Sequence, residues 1–375
     1  VRQVLTERSP WTAVLVRGGG DEPYDHALWR ALAADVGCAG LAVPEKFGGS
    51  GASWREAAVV AEEVGRAVAP VPHLGAALAT AALLAAADDG QRGDSERASQ
   101  RASASEERSE RGAEQSSVAD DPLLASVAAG EATAVLVLAL STPPAAPVPA
   151  SVRAENAALA GTVTGVADAL AADVLVVPTV DGLWAVESSD ARLTPLTTLD
   201  LTRQLCDVAF DTAPARRLGG PAAVPRAWRA ALRVGAALLA AEQVGVASWC
   251  LDATVVYLKT RHQFGRPVGS YQGLKHRLAD LWVAITQARA VARYAAGCVA
   301  DDDPDAAVAV ALAQAHCSPL AVRAAEECVQ MHGGIGFTWE HPAHLYLKRA
   351  KSAAIALGTA ERHRAALAAL VDLPG

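Results

Sequence analysis

The 375-residue sequence predicts an α+β fold with three regions: an N-terminal α-helical domain, a central antiparallel β-domain and a C-terminal four-helix bundle. Apolar residues recur at helical spacing in residues 1–131 and again in residues 221–375. Between them, residues 132–220 contain short apolar runs separated by turn formers, a pattern typical of strands. The order of helices, strands and helices sets the predicted domain boundaries.

The N-terminal domain is predicted from an amphipathic segment and the loop before it. Residues Trp54–Gly65 place apolar side chains at helical spacing, and Ser53 is suited to cap the start of that helix. The preceding stretch, Gly40–Gly51, is rich in turn formers and is predicted as a loop.

Residues 88–120 have a different character from the rest of the chain. They are mostly Ser, Glu, Arg, Gln, Ala, Asp and Gly, with no large apolar residue before Val118. Such a stretch cannot bury enough apolar surface to offset the entropy lost on ordering. We therefore predict a disordered surface insertion, with a docking tail as the functional alternative.

The β-domain is predicted from four short apolar runs and one turn. An Asp-Gly pair at 181–182 lies between two of these runs and is a hairpin signal. The runs are Val135–Leu140, Val174–Val177, Leu183–Val186 and Val208–Phe210.

The C-terminal region is predicted as an antiparallel bundle, because long helical segments follow one another with short joins. The segments are Val224–Lys259, Leu274–Val299, Pro304–His332, Ala343–Ala356 and Ala360–Val371.

Composition and charge limit which kinds of partner, cellular compartment and metal site we expect. A net charge of −8 argues against nucleic acid as the main partner. Six cysteines without C-x-x-C spacing favour reduced thiols in a cytoplasmic protein. The sequence shows no signal-peptide pattern and no uninterrupted apolar run of membrane-spanning length. His341 and His344 flank Pro342 without an acidic or cysteine ligand cluster, so no metal site is predicted.

Four motifs follow one another along the chain in a characteristic order. Together they resemble the acyl-CoA dehydrogenase family, and the likeness extends over nearly the whole sequence. The motifs are Val43–Gly51, Arg261–Gln272, Gln330–Pro342 and Ser352–Thr359.

This resemblance implies a fold, a reaction and a set of partners. The implied fold has the helical, β and four-helix domains already predicted. The implied reaction removes an α-proton from an acyl-CoA thioester and passes a β-hydride to FAD, with electron-transfer flavoprotein as electron acceptor. FAD lies at a subunit interface in the family, so an oligomer is also implied.

The first bundle motif carries groups suited to FAD. Arginine offers a planar, permanently charged fork for phosphate oxygens. By resemblance, Arg261 and Gln263 contact the pyrophosphate, Phe264 packs near the adenine or flavin where the chain turns at Gly265, and Gln272 is similarly placed. The structural alternative for Arg261 is a helix C-terminal cation that meets the helix dipole.

The later motifs have both a cofactor and a structural interpretation. Gln330, Gly333 and Gly334 resemble the segment that reaches the FAD of a neighbouring subunit, although glycine also commonly ends a helix. Thr359 resembles a residue near the adenosine side of FAD, although it is equally suited to cap the last helix.

The sequence departs from the family at the catalytic base. Most members have a glutamate immediately before the Gly-Thr pair, and Leu357 occupies that position here. Leucine has no titratable group and cannot accept a proton. Some members place the glutamate on the long preceding helix instead, at a position that matches about Gly235, where no carboxylate occurs.

The central domain departs from the family as well. A Thr-Glu-Pro loop followed by Gly-Ser is usual there, and the matching stretch is Leu140–Pro147 with only Thr142-Pro143 as a remnant. The second flavin-facing motif corresponds to Val163–Gly165. The half-site formed by this chain's own β-domain is therefore altered, whereas the bundle motifs are intact.

One further carboxylate lies near the expected base position. Glu242 is seven residues beyond Gly235, which keeps roughly the same helix face but moves the group about 10 Å along the axis. A buried or paired structural glutamate is the alternative to a relocated base.

Four hypotheses follow. The favoured one is a subunit that contributes FAD-binding motifs to a homologous partner carrying the catalytic glutamate. The others are a self-sufficient acyl-CoA dehydrogenase with a relocated base, a flavin monooxygenase-like member, and a flavin-free scaffold.

Overall fold

The computed structural model describes residues 1–20, 22–101 and 121–372, and it leaves the side chains of residues 88–101 undescribed. In this part of the chain, helices form the N-terminal region as predicted. They are α1 (Arg2–Arg8), α2 (Trp11–Gly18), α3 (His26–Arg30), α4 (Trp54–Ala67), α5 (His73–Arg101) and α6 (Pro122–Ala128).

Helix α4 begins where the sequence predicts. The Ser53 hydroxyl accepts a hydrogen bond from the Arg55 backbone N–H at 3.2 Å. The Glu56 carboxylate accepts one from the Ser53 N–H at 2.9 Å. This capping box satisfies backbone donors that the first helical turn leaves without partners, which confirms the predicted helix and its cap.

The predicted insertion over residues 88–120 is only partly visible. The backbone of α5 continues to Arg101. Residues 102–120 and the side chains of residues 88–101 lie outside the described structure. The disordered insertion therefore stays a prediction.

The central region contains two four-stranded sheets in the described residues. Their strand orders are β1-β4-β5-β8 and β2-β3-β7-β6. The strands are β1 (Ala134–Leu136), β2 (Val152–Glu155), β3 (Ala158–Ala167), β4 (Val174–Thr179), β5 (Gly182–Glu187), β6 (Arg192–Pro195), β7 (Leu205–Pro214) and β8 (Arg216–Gly219).

Pairing in these sheets is antiparallel except between β1 and β4, which run parallel. The predicted β4–β5 hairpin is present, with Thr179 opposite Gly182, so its two-residue turn begins one residue before the predicted pair. The predicted run Val135–Leu140 is not a single strand. It leaves the first sheet after Leu136 and crosses to the second, where Ala139 bridges Val166 of β3.

The C-terminal region is the predicted helical bundle. Helix α7 lies at its centre and packs against α4, α5 and the later helices. Their bounds are α7 (Val224–Thr260), α8 (Gln272–Ala300), α9 (Ala306–His332), α10 (Ala343–Ala353) and α11 (Ala360–Leu370).

By length and composition alone, two helical segments of the described chain are long and apolar enough to cross a membrane, namely Val224–Thr260 and Ala306–Phe337. In the first of these, 94% of the apolar window is buried inside the protein. Both segments belong to the bundle, and their apolar faces contribute to its core.

Candidate functional site

A tight hairpin follows the C-terminal end of α7. Its strands are β9 (His262–Gln263) and β10 (Arg266–Pro267), paired antiparallel. The two residues at its tip, Phe264 and Gly265, have φ of +54° and +75°. Two-residue hairpin turns commonly require positive φ at both central positions, and a phenylalanine in this conformation is strained. The turn holds the Phe264 ring in solvent, 90% exposed.

The polar residues of this motif are also exposed. Arg261 forms the C-cap of α7, where its backbone N–H donates to the Tyr257 carbonyl. Arg261, Gln263 and Gln272 all lie at the surface. No carboxylate in the described residues forms an ion pair with the Arg261 guanidinium. The guanidinium is therefore available for an anionic group from outside the chain.

The second bundle motif ends α9 beside the first. Gln330, Gly333 and Gly334 are exposed, and Gly333 has φ of +64°. His332 stacks on Tyr257, with ring centroids 4.4 Å apart, one turn before Arg261. This stack brings the ends of α7 and α9 together and places both motifs on one face of the bundle.

The chemistry of this face suits one kind of ligand. It offers an unpaired guanidinium, side-chain amides, an exposed aromatic ring and glycine backbone that a ligand can approach closely. Such groups fit a molecule that carries both phosphate and aromatic rings. All of these groups except the glycine backbone are side chains that reach the surface of the bundle.

A separate cavity of about 750 Å³ lies between the β-domain loops and the bundle. Its lining includes Thr142 and Pro143 from one altered family motif, Val163 and Thr164 from the other, and Thr359 from the bundle. The two altered motifs thus face a common space. Of the candidate cofactor residues, Thr359 alone is among those that line this cavity, and it also caps α11, accepting from the Arg362 N–H at 3.4 Å.

The charge in this cavity comes from a residue that the sequence motifs did not indicate. Arg362 supplies the one charged side chain in the lining that the described residues form. It follows Thr359 by three residues, and the helix start at Thr359 is the sequence signal nearest to it. The rest of the lining is Ser, Thr, Pro, Ala, Val, Ile and Trp.

Leu357, at the usual base position, is held firmly in the interior. It is 1% exposed and has φ of +52°. Its N–H donates to the Leu140 carbonyl at 2.7 Å, and its carbonyl accepts from His363 Nε2 at 3.0 Å. These bonds tie down a backbone conformation that leucine rarely adopts.

The alternative base position, Gly235, lies beside Leu357. A Cβ added to Gly235 would overlap Leu78 Cδ2 and would lie 3.0 Å from Leu357 Cδ1. Leu357 and Gly235, the two positions that the family resemblance assigns to the glutamate, therefore meet here. They meet in close apolar packing, and Leu78, which no sequence motif indicated, fills the space between α5 and α7.

Glu242 is not available as a relocated base. Its side chain is 2% exposed, and its two carboxylate oxygens accept from Arg203 Nη2 at 2.5 Å and from Arg349 Nε at 2.9 Å. Burial alone would raise the pKa of Glu242, but the two guanidinium groups lower the pKa to about 2. A carboxylate held ionised by two arginines is a poor proton acceptor, so the contacts of Glu242 favour the structural alternative.

The same ion cluster joins the domains. Arg349 of α10 also contacts Asp200 Oδ2 at 3.5 Å and the Thr202 hydroxyl at 3.0 Å, and both partners belong to the β-domain. Burial tends to lower the pKa of Arg349, and Glu242 and Asp200 raise it overall. Nearby His73 is buried, which lowers its pKa to about 4.

Family models match both ends of the chain. The C-terminal domain model of acyl-CoA dehydrogenase matches residues 226–371, and the N-terminal domain model matches residues 1–94. These ranges contain the bundle motifs and helices α1 to α4.

Individual relatives extend the likeness. The acyl-CoA dehydrogenase IpdE2 of Mycobacterium tuberculosis is 36% identical over 355 residues, covering 94% of this chain and 89% of the relative. The solved ChsE4-ChsE5 complex from Mycobacterium tuberculosis superposes with a TM-score of 0.78 at 26% identity, over 100% of this chain and 96% of that chain. A Tcur3481-Tcur3483 steroid ACAD variant gives 0.77 at 28% identity, over 99% and 95%. The chain belongs to the acyl-CoA dehydrogenase family.

Proposed function

We propose that this chain is a subunit of an FAD-dependent acyl-CoA dehydrogenase in which a homologous partner supplies the catalytic glutamate. The chain contributes the face formed by the Arg261–Gln272 and Gln330–Gly334 motifs to FAD bound mainly by that partner. The proposed substrate is an acyl-CoA thioester, and the proposed electron acceptor is electron-transfer flavoprotein. The assembly acts in the cytoplasm.

The contrast between the exposed end of α7 and the closely packed region at Gly235 supports this proposal most strongly. The cofactor groups at the end of α7 are exposed and unpaired, whereas the base region at Gly235 is packed with Leu78 and Leu357. A catalytic subunit requires the opposite at Gly235 or Leu357: a carboxylate within hydrogen-bond reach of the substrate. Two similar structures, ChsE4-ChsE5 and Tcur3481-Tcur3483, are named as pairs of chains.

The residues of this chain have binding and orienting roles in the proposed assembly. FAD, when bound, accepts the hydride that leaves the substrate β-carbon. Arg261 neutralises the cofactor phosphates with a fork that matches their oxygens. Gln263, Gln272 and Gln330 donate amide hydrogen bonds, and Gly333 and Gly334 let the backbone approach the cofactor. Phe264 covers an aromatic ring and excludes water from it.

A self-sufficient enzyme with Glu242 as base is not favoured, because both oxygens of that carboxylate are bound by arginines. A monooxygenase-like activity needs no α-proton base, and a flavin-free scaffold needs no cofactor. Neither has an observation of its own in its favour, and the experiment below separates both from the proposal.

The experiment is co-expression of this chain with a homologue that carries the family glutamate. Flavin absorbance of the purified complex, flavin bleaching by acyl-CoA substrates and oxygen consumption with reduced flavin are measured. The proposal expects a flavin-bearing complex that acyl-CoA bleaches, and loss of bleaching when the partner's glutamate is changed to glutamine.

A matched variant in this chain provides the control. Leu357→Glu places a carboxylate at the family position but leaves Leu78 beside Gly235. We expect no flavin bleaching when this variant is expressed alone. We also expect no recovery of bleaching when it is paired with the partner whose glutamate is changed to glutamine. Bleaching by the unpaired wild-type chain contradicts the proposal, flavin-dependent oxygen consumption favours the monooxygenase, and a complex without flavin favours the scaffold.

A further inference from the structure

A second cavity lies at the side of the bundle, apart from the exposed cofactor face. Its volume is about 330 Å³, within the range of small-molecule sites, and it is an open cavity bordered by α7, α9, α11 and the loop at Pro144. None of the family motifs at Arg261–Gln272 or Gln330–Gly334 lines it. Its lining combines two cations with an otherwise almost entirely apolar wall.

The cations are Arg229 and Arg233, four residues apart on α7 and therefore on the same side of the helix. Like charges at this spacing repel each other and destabilise a helix unless an anion neutralises them. In the part of the chain that the structure describes, neither guanidinium has an ion-pair partner. Both groups border the cavity, where a single bound anion would neutralise them together.

The opposite wall is hydrocarbon. Val310 and Ala311 of α9 and Ala366 and Leu370 of α11 contribute to it. A strongly hydrated anion without an apolar part would leave these side chains in water, whereas an acid with a hydrocarbon body would cover them. The two walls together fit an amphipathic carboxylate.

His363 adds a polar group at the base of this cavity. The ring is fully buried, and its Nε2 bonds the Leu357 carbonyl at 3.0 Å. Since a carbonyl only accepts, Nε2 carries the proton and the other nitrogen, Nδ1, holds a lone pair in the neutral ring. In the described residues Nδ1 has no hydrogen-bond partner, which is unusual for a buried polar atom.

We propose that this cavity binds a small amphipathic carboxylate. Arg229 and Arg233 hold the carboxylate, and Val310 and Leu370 cover the hydrocarbon body. The negative charge favours a proton on His363, which then becomes a donor on both nitrogens and links the ligand to the backbone of Leu357. This site does not depend on the proposed subunit function.

The test is calorimetric titration of the full-length chain with decanoate, alongside decanol and inorganic phosphate. Decanol has the same kind of body without the charge, and phosphate has charge without the body. We expect saturable binding of decanoate only. The double variant Arg229→Gln/Arg233→Gln should weaken it at least about tenfold, since charge-assisted hydrogen bonds are lost.

The control variant is Arg364→Gln. Arg364 lies on α11, pairs with Glu361 at 3.4 Å and does not line the cavity. We expect wild-type binding from it, and ligand-induced stabilisation against heat in this variant but not in the double variant. The proposal is overturned if decanoate does not bind, if the double variant binds it unchanged, or if decanol or phosphate binds as tightly.

Discussion

Two regions of helix α7, its C-terminal end and its middle at Gly235, differ in exposure and in what they contact. At its C-terminal end, α7 presents Arg261 and the Phe264 hairpin to solvent with no partner for the guanidinium in the described chain. At Gly235, 26 residues earlier and about 39 Å away along the axis, α7 is closed against Leu78 and Leu357. Groups so far apart on one rigid element cannot serve the same small reacting centre.

This separation explains how one part of a family site is lost while another is kept. In the proposed assembly the end of α7 serves a cofactor that another chain helps to bind, whereas the middle of α7 packs against α5 and the Leu357 loop. Loss of a carboxylate at the middle leaves the geometry of the end unchanged. Two properties of α7 can be tested: how rigidly its middle is packed at Gly235, and whether its C-terminal end at Arg261 functions independently of that packing.

The largest expected effect on stability concerns the buried ion cluster of Glu242, Arg203 and Arg349. Glu242→Gln removes the charge that two buried arginines share, and breaking such a pair leaves uncompensated buried charge. We expect a loss of about 3–5 kcal/mol in the free energy of unfolding, measured by urea denaturation at pH 7.

The control for this variant is Glu326→Gln. Glu326 pairs with Lys351 at 2.7 Å, and both side chains are about half exposed. Exposed pairs contribute about 0–1 kcal/mol, so this variant should remain near wild type. A Glu242→Gln protein as stable as the control would mean that the carboxylate is replaceable and free for another role.

Acid should weaken the same region in a defined pH range. Burial lowers the pKa of His73 from 6.5 to about 4. Between these values the unfolded chain binds a proton that the folded chain does not, so stability is full above pH 6.5 and falls as the pH decreases toward 4. The loss reaches about 3 kcal/mol for a shift of this size.

Denaturation of wild type and His73→Gln at several pH values measures this contribution. The variant should have a flatter dependence between pH 6.5 and 4, because its amide does not titrate. Glu242 adds a separate loss below pH 4.5, since its pKa is lowered to about 2, and both proteins should share it. Parallel curves above pH 4.5 would show that His73 does not remain neutral in the folded chain.

How much of this could be predicted from the sequence differs between the two regions. The α4 cap, the turn at Phe264 and the loss of a base at Leu357 depend on neighbouring residues, and local patterns indicated them. Leu78 and Gly235 are far apart in the chain, and no local pattern shows that they touch. The role of Glu242 also depends on a distant residue, Arg203, which lies in another domain.

The strand prediction at Val135–Leu140 was right only for its first residues, which belong to β1, and wrong for the rest, for a related reason. A continuous apolar run predicts one buried strand, but the segment is buried because it passes between two sheets. Periodicity reports burial and not the partner that produces it. Arg362 was missed likewise, because its place in the β-domain cavity follows from tertiary structure.

Substitution of two arginines tests whether FAD binds at the exposed face that includes Arg261 or in the β-domain cavity that includes Arg362. In the co-expressed complex, Arg261→Gln removes a charge-assisted contact from the exposed face, and Arg362→Gln removes the cation from the chain's own cavity. If the chain donates its motifs to a partner, the first change should weaken FAD binding about 10- to 100-fold and the second less than about twofold.

Flavin retained after dialysis against graded FAD concentrations measures both variants. The stoichiometry is informative as well, since one FAD per pair of chains is expected. The opposite result, flavin lost with Arg362→Gln and kept with Arg261→Gln, would place the cofactor in the chain's own cavity and reverse the proposed division of roles.

The smallest expected effect concerns the packing at the base position itself. Gly235→Ala adds a methyl group that overlaps Leu78 Cδ2 and crowds Leu357, and overpacking of this kind costs about 1–3 kcal/mol. Gly273→Ala on α8 is the matched control, because a Cβ there meets no atom within 4 Å and alanine suits a helix. Thermal unfolding should therefore show a lower midpoint for the first variant and an unchanged or higher midpoint for the second. If Gly235→Ala unfolds at the same midpoint as Gly273→Ala, α5 and the Leu357 loop can move apart, and the middle of α7 is not closed as described.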